Sequence, residues 1–346
     1  MNTLNTVSVR TLNVGIIGYG YWGPNLTRNF FDIPASELIA IADTKDDRLQ
    51  RAKSIYPEIV TTNNYADLFE MNLDAVVVST PPATHYPIAK DCLEHGLHVL
   101  VEKPMTLNSQ HAQELIDLAN DRGLTLMVGH VFEYNSAVNA LKEYIDNGVL
   151  GDIYYIDSAR LNLGLFQNDN VLWDLAPHDI SIFLYLLGEK PVSVSAHGMA
   201  CVFEGIYDVV HMNLIFPNRL PAYIHVSWLD PSKVRRVTVV GSQKMIVYND
   251  LANEQMIKIY DKGVDVPAYT NGGFDDFQCN YRSGDIVIPK IQMSEPLRKE
   301  CQHFLECIVN NEQPRSNGDD GLSVIKILEA AQRSMANGST HEVIQW

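Results

Sequence analysis

Short apolar runs recur along the first third of the chain, and each is followed by a stretch with helical spacing. Asn13–Ile17, Leu38–Ala42, Asp74–Thr80, His98–Val101 and Leu124–Val128 read as strands. The run from Asp74 is continuously apolar and β-branched through Val78, as in strands buried on both faces of a parallel sheet. Between the runs, Asn25–Phe31, Lys45–Ile55, His85–His95 and Asn108–Arg122 read as helices. The last is capped by Asn108 or Ser109 and stopped by Gly123. Strand–helix alternation of this kind predicts a doubly wound parallel sheet.

The pattern changes near residue 130. Val138–Asp146 reads as a helix, Gly148–Gly151 as a turn, Ile153–Leu163 as a long strand, and Asp174–Leu187 as a helix closed by Gly188. Val192–Val202, Val209–Phe216, Ala222–Trp228, Arg235–Val240 and Lys244–Tyr248 then follow with β character and little between them. That spacing predicts an open, mainly antiparallel sheet. Gly263–Ile291, rich in Gly and Asp, is expected to be a long excursion, and Pro296–Asn310 and Gly321–Ala336 to be closing helices. The expected architecture is an α/β domain over residues 1–130 and an α+β domain over 131–346, with the ligand cleft at the carboxyl ends of the parallel strands.

The first apolar run ends in Gly18-Tyr19-Gly20-Tyr21-Trp22-Gly23, a G-x-G-x-x-G fingerprint. Gly18 suits the tight turn, Gly20 the close approach of phosphates, and Gly23 the packing of helix on strand. The fingerprint alone is unspecific; a strand before it, a helix after it and Asp43 at the end of the next strand make it a Rossmann signal. A carboxylate at Asp43 can accept both adenosine ribose hydroxyls and repels a 2′-phosphate. Thr44, not an arginine, follows it, so NAD is expected over NADP.

Composition sets bounds on this picture. With 346 residues, two domains are the default. A formal net charge of −16 argues against nucleic acid and anionic membrane as partners, and asks any anionic substrate for a locally basic pocket. No apolar run is long enough to span a membrane, and Met1–Arg10 lacks the apolar core of a signal peptide. Cys92, Cys201, Cys279, Cys301 and Cys307 are scattered without a C-x-x-C pair, so no disulfide framework or zinc knuckle is expected, and a reducing cytoplasm fits.

Several residues could carry chemistry. Lys103, in Glu102-Lys103-Pro104, follows a strand directly, at the edge where a nicotinamide belongs; its ammonium can donate to a substrate oxygen. Thr80-Pro81-Pro82 and His85 follow the preceding strand at the same edge, although turn chemistry alone explains the prolines. Asp174 and His178 stand four residues apart on one helical face, as an orienting carboxylate and a proton acceptor, or as an N-cap and a packed histidine. No further ligands at recognisable spacing accompany them, and no metal is expected. Arg160 and Asn162 alternate on one strand face, toward a ligand or toward solvent. Trp173 and Trp228 are core residues or stacking platforms.

Taken together, these residues resemble the glucose–fructose oxidoreductase/inositol dehydrogenase family, Gfo/Idh/MocA, over nearly the whole chain. The resemblance rests on Gly18–Asn25, on Glu102-Lys103-Pro104 and on Trp173-Asp174-Leu175-Ala176-Pro177-His178-Asp179; the E-K-P and D-x-x-x-H combination in this order is the specific part. It implies a Rossmann domain that holds NAD or NADP, with Gly18, Gly20, Tyr21, Trp22, Gly23, Asp43, Thr80, Pro81, Pro82, His85, Glu102 and Lys103 at the cofactor. It implies a second domain with an open-faced sheet through which members often form homo-oligomers, dimers or tetramers. Lys103 and His178 then look like the catalytic pair and Asp174 like a substrate ligand, with Arg160, Asn162 and Trp173 lining the substrate site. Many members carry a glycine-rich stretch before that Asp; here it is Asn170-Val171-Leu172-Trp173, so the pocket wall is expected to differ. Gly129–Asn135, Arg160–Gly164 and the W-D-L-A-P-H-D run look like the nucleotide-sugar branch, whose members oxidise C3 of a UDP-N-acetylhexosamine or its uronic acid. A free cyclitol or monosaccharide dehydrogenase is the alternative, and a non-catalytic cofactor-binding regulator a further one.

Overall fold

A computed structural model describes residues 10–164, 170–265 and 280–346. In chain order the elements are β1 (Leu12–Ile17), α1 (Gly23–Asp32), β2 (Ser36–Ala42), α2 (Asp46–Ile55), β3 (Val60–Thr62), β4 (Ala75–Val78), α3 (His85–Glu94), β5 (His98–Glu102), α4 (Ser109–Asp121), β6 (Leu126–Gly129) and α5 (Ser136–Asp146). There follow β7 (Ile153–Leu163), α6 (Val171–Leu187), β8 (Ser193–Met199), β9 (Val209–Ile215), β10 (Pro221–Ser227), β11 (Leu229–Gly241), β12 (Met245–Asn249), β13 (Ile257–Asp265) and β14 (Asn280–Val287). The chain closes with α7 (Pro296–Asn310), α8 (Gly318–Ala336) and β15 (Glu342–Val343).

The chain divides into two compact units. The first holds the described residues up to Tyr134 together with Ser294–Ile325. Its sheet is parallel throughout, in the order β3-β2-β1-β4-β5-β6. This is the doubly wound order expected for a dinucleotide-binding fold, with its topological switch between β1 and β4. All four residues of β4 are buried, which is why its sequence is apolar without alternation. The core joins Val14, Ile16, Ile41, Val77, Leu100 and Met127 of the strands to Leu26 and Phe30 of α1.

The domain boundary differs from the expected one. The expected boundary places residues 294–325 in the second domain, but α7 packs into the first. Its Leu297, Cys301, Phe304 and Leu305 form one apolar stripe in that core, and the Phe304 ring stands edge-on to Phe30 at 6.4 Å. Ser316 then bonds to β6: Val128 N–H donates to Ser316 O at 2.8 Å, and Ser316 Oγ donates to Val128 O at 2.7 Å.

The second unit holds Asn135–Met293 and Lys326–Trp346. Its sheet runs β14-β13-β12-β11-β7-β10-β9-β8-β15, antiparallel except for the β10–β7 pair. Ile156, Val194, Ala196, Met212, Leu214, Ile224, Val237 and Val239 form its buried face, and α6 packs on β10. On the other face Tyr155 and Tyr223 are exposed, so the sheet is open.

Two further expectations change. The excursion expected over Gly263–Ile291 includes the end of β13 and all of β14, which pair antiparallel; residues 266–279, with Cys279, lie outside the described residues. The helix expected from Asp174 begins at Val171, and Asn170 Oδ1 caps it by accepting from Trp173 N–H at 3.3 Å. Asp174 is therefore a first-turn residue and not the cap.

Candidate active site

The glycine turn after β1 has the shape a pyrophosphate needs. Gly18 has φ +99°, and a Cβ there would stand 2.7 Å from Ser79 O. A Cβ on Gly23 would stand 2.3 Å from Gly18 O, so only glycine lets α1 start this close to the turn. Pro24 follows in the first turn of α1, where a missing N–H is harmless. A helix that starts at a glycine turn in this way suits an anion. Tyr21 is almost fully exposed and Trp22 half-buried, their rings edge to face at 6.0 Å. A dinucleotide fits this cradle.

Asp43, directly after β2, is buried and held on both oxygens. Oδ2 accepts from Tyr19 N–H at 2.7 Å and Oδ1 from Lys45 N–H at 2.9 Å. Arg48 Nη1 also donates to Oδ2 at 3.2 Å, an ion pair that the spacing around Asp43 does not announce.

Thr80, Pro81 and Pro82 follow β4 at the carboxyl edge, and beside them Glu102 ends β5 and Lys103 follows it. His85 departs from expectation. It is 1% exposed, with Nδ1 2.8 Å from Pro104 O and Nε2 2.7 Å from Thr80 O. Its ring ties the loop after β4 to the loop after Lys103, so it braces the cofactor edge from behind and is not presented to a ligand. Burial lowers its pKa, against the pull of those two carbonyls.

Beside Lys103 stand Glu102, expected at the cofactor and half-buried, and the buried His130 and Glu300, which were not among the expected site residues. Glu102 pairs with Gly129 across the β5–β6 register, and a Cβ on Gly129 would stand 3.1 Å from its carboxyl carbon. Burial raises the Glu102 carboxyl to about 7, although Lys103 pulls it down. His130 and Glu300 are each 1% exposed, and neither ring nitrogen of the one nor carboxyl oxygen of the other has a hydrogen-bond partner among the described residues. Burial, then the Lys103 charge, lowers His130 to about 4. Burial, then Glu102 and Glu133, pushes Glu300 well above the carboxylate range. An acid in a helical pattern reads as solvent-facing; only the packing of α7 shows that Glu300 is buried.

These shifts fix the sign of a pH effect. Glu102 and Glu300 keep protons in the folded chain that the unfolded chain loses near the ordinary carboxylate pKa of 4.5, so stability falls as pH rises through their folded values. His130, neutral when folded, costs stability only as pH falls below its ordinary 6.5. Above about pH 6.5, where His130 is neutral in both states, the thermal midpoint is therefore expected to fall as pH rises, and to fall less in Glu300→Gln. An equal drop in that variant removes Glu300 from the account.

In the second unit, Asp174 and His178 lie one turn apart on α6 and are both half-buried. Asp174 Oδ2 accepts from the indole N–H of Trp228 at 3.0 Å. Trp228 is 1% exposed, and a Cβ on Gly164 would stand 2.4 Å from its Cδ1, so Gly164 makes room for the indole. Pro177 has no N–H for the Trp173 carbonyl, which loosens the helix just before His178.

Two residues expected at the substrate are built into the core instead. Arg160 Nε and Nη2 donate to Asp179 Oδ2 and Oδ1 at 2.7 and 3.2 Å, with both side chains almost fully buried. Trp173 is 6% exposed and its Nε1 donates to Gln332 Oε1 at 2.7 Å. Asn162 is half-buried near the end of β7. Among the described residues no cluster of three or more His, Cys, Asp or Glu is placed to hold a metal ion, and no helix is long and apolar enough to cross a membrane.

Comparison with known proteins covers both units. A family model described as an oxidoreductase family, NAD-binding Rossmann fold, GFO_IDH_MocA, matches residues 12–130, and the GFO/IDH/MocA C-terminal domain matches residues 138–247. The scyllo-inositol 2-dehydrogenase (NAD(+)) of Bacillus subtilis is 26% identical, over 96% of this chain and 95% of its own. The UDP-N-acetylglucosamine 3-dehydrogenase of Acidithiobacillus ferrooxidans is 27% identical, over 73% of this chain and 78% of its own. The crystal structure of GenD2 from gentamicin A biosynthesis in complex with NAD superposes with a TM-score of 0.82 at 22% identity, covering 98% of this chain and 97% of that one.

Proposed function

The chain belongs to the GFO/IDH/MocA family of oxidoreductases, with an NAD-binding Rossmann domain at residues 12–130, and on that premise we propose that it oxidises, reversibly, C3 of a UDP-N-acetylhexosamine or its uronic acid. The observation that carries the site assignment is Asp174. A buried indole N–H holds one oxygen of its carboxylate, on the helical face where His178 follows one turn later, and a carboxylate so held can orient a sugar hydroxyl. Bound NAD supplies the acceptor for the hydride of the carbinol carbon. His178 takes the hydroxyl proton. Lys103 donates from its ammonium to the same oxygen and stabilises the alkoxide as it develops.

The nucleotide-sugar reading is supported by Gly129–Asn135, by Arg160–Gly164 and by the 27% identity to a UDP-N-acetylglucosamine 3-dehydrogenase. Arg160 enters it as part of the core that supports the β7–α6 packing, not as a substrate contact. The likeness to a scyllo-inositol dehydrogenase favours a free cyclitol as the second reading. The setting that fits the first is cytoplasmic nucleotide-sugar metabolism for cell-surface glycans, with a homo-oligomer formed through the open sheet face. A rise of the NADH absorbance band on mixing protein and NAD with UDP-N-acetylglucosamine or its uronic acid tests the reading. Reduction by myo-inositol and not by either UDP sugar would replace it with the second.

A further inference from the structure

Both ring nitrogens of His130 and both carboxyl oxygens of Glu300 are buried and unmatched by any donor or acceptor among the described residues. Two elements bring these groups to one place. His130 directly follows β6; its N–H donates to Val128 O at 2.7 Å, and its carbonyl accepts from Glu133 N–H at 3.0 Å. α7 packs against the next turn, Val131–Tyr134, and Val131 packs against the core that holds Leu297 and Cys301. Glu300 adjoins Cys301 on that helix. Glu102, at the end of β5, completes the cluster. It pairs with Gly129 in register, and a Cβ on Gly129 would stand 3.1 Å from its Oε2. Glu300 and Cys301 both feel the Glu102 charge, and His130 feels that of Lys103.

Orphaned buried polar atoms are costly, so such groups are almost always met by protein or by ordered water. Here the donors and acceptors balance around water. Burial holds His130 and Glu300 in their neutral forms. A neutral imidazole has one N–H donor and one acceptor nitrogen, and a carboxylic acid has one O–H donor besides its acceptors. A water that accepts from both has its own hydrogens left to donate, and the Glu102 carboxyl is the acceptor at hand. A buried water is typically held by about three polar partners, and His130, Glu300 and Glu102 supply them. Glu102 Oε2 also accepts from the Lys103 backbone N–H at 3.3 Å. Its carboxyl thus ties down the chain at the residue that the proposed reaction uses.

We propose that a buried water joins His130 and Glu300 to Glu102, and that Glu300 is thereby a positioning residue: it fixes the Glu102 carboxyl, which fixes Lys103. The role at Lys103 rests on the dehydrogenase reading given above; the water does not. Glu300 touches neither cofactor nor sugar and acts only through its neighbours.

A high-resolution crystal structure of the wild type is expected to show ordered water within hydrogen-bonding distance of a His130 nitrogen, a Glu300 oxygen and a Glu102 oxygen. The same water should persist in Glu300→Gln. A dry cluster overturns the proposal whatever sugar the protein uses. Kinetics, with whichever sugar the wild type oxidises, read the positioning role. Glutamine keeps an acceptor and a neutral N–H donor, so Glu300→Gln should hold kcat within about threefold of the wild type. Glu300→Leu keeps the bulk and removes both, so kcat should fall about tenfold or more with the KM for the sugar little changed. In a Lys103→Met background the same leucine substitution should cost less than about threefold, because Glu300 acts through Lys103. An equal loss in both backgrounds, or an unchanged kcat in Glu300→Leu, overturns the positioning role.

Discussion

Lys103→Met is expected to lower kcat by about three orders of magnitude while NADH still binds. Methionine keeps the unbranched stem and removes the ammonium. On the proposed mechanism this takes away the donor that stabilises the alkoxide, an interaction strongest in the transition state, so the loss falls on kcat more than on KM. The same substitution removes the positive charge that lowers both His130 and Glu102, so both groups should bind protons more tightly in the variant. The comparison variant is His178→Gln, in which the proton acceptor is lost and the ammonium kept. If both residues act on one oxygen, the double variant should lose much less than the product of the two single losses. Near-normal turnover in Lys103→Met, with the fold intact by circular dichroism, takes Lys103 out of the mechanism.

Asp179→Asn is expected to cost about 3–5 kcal/mol of stability, because it leaves a buried guanidinium without the carboxylate that faces it. The pair joins β7 to α6 through two hydrogen bonds, and both side chains are almost fully shielded from water. Paired, the two charges largely cancel their desolvation costs; separated, each retains its own. Replacing both together, with Arg160→Met and Asp179→Leu, should cost far less than Asp179→Asn alone. The measurement is the shift of the urea transition in the three variants. A shift under about 1 kcal/mol for Asp179→Asn would mean that the pair behaves like a surface bridge and does not hold α6 to the sheet.

The parallel sheet was legible because its strands are buried on both faces. Val76, Val77 and Val78 have no polar partner positions to confuse the pattern. The glycine turn was legible because Gly18 and Gly23 answer steric demands that no other residue meets. β14 was not, because nearly every one of its side chains is exposed, so neither alternation nor an apolar run marks it. The apolar stripe of α7 showed that it packs, but spacing cannot say on which sheet. Arg160 and Asn162, two residues apart on β7, share a strand face by periodicity, yet periodicity cannot say that Arg160 meets Asp179 on α6. Arg48 and His85 escaped for a related reason. Their partners, Asp43 in one case and two backbone carbonyls in the other, are set by how loops and a helix return to the strand ends.

The central claim is that a sugar secondary alcohol gives its hydrogen to the bound nicotinamide. The direct measurement uses UDP-N-acetylglucosamine and its uronic acid carrying deuterium at C3, with NAD and the wild-type protein, and follows the label by mass spectrometry. The account predicts deuterium in the reduced cofactor, with slower reduction than from the unlabelled sugar. Reduced cofactor without the label would place the chemistry at another carbon, and no reduction by either sugar would contradict the nucleotide-sugar assignment itself.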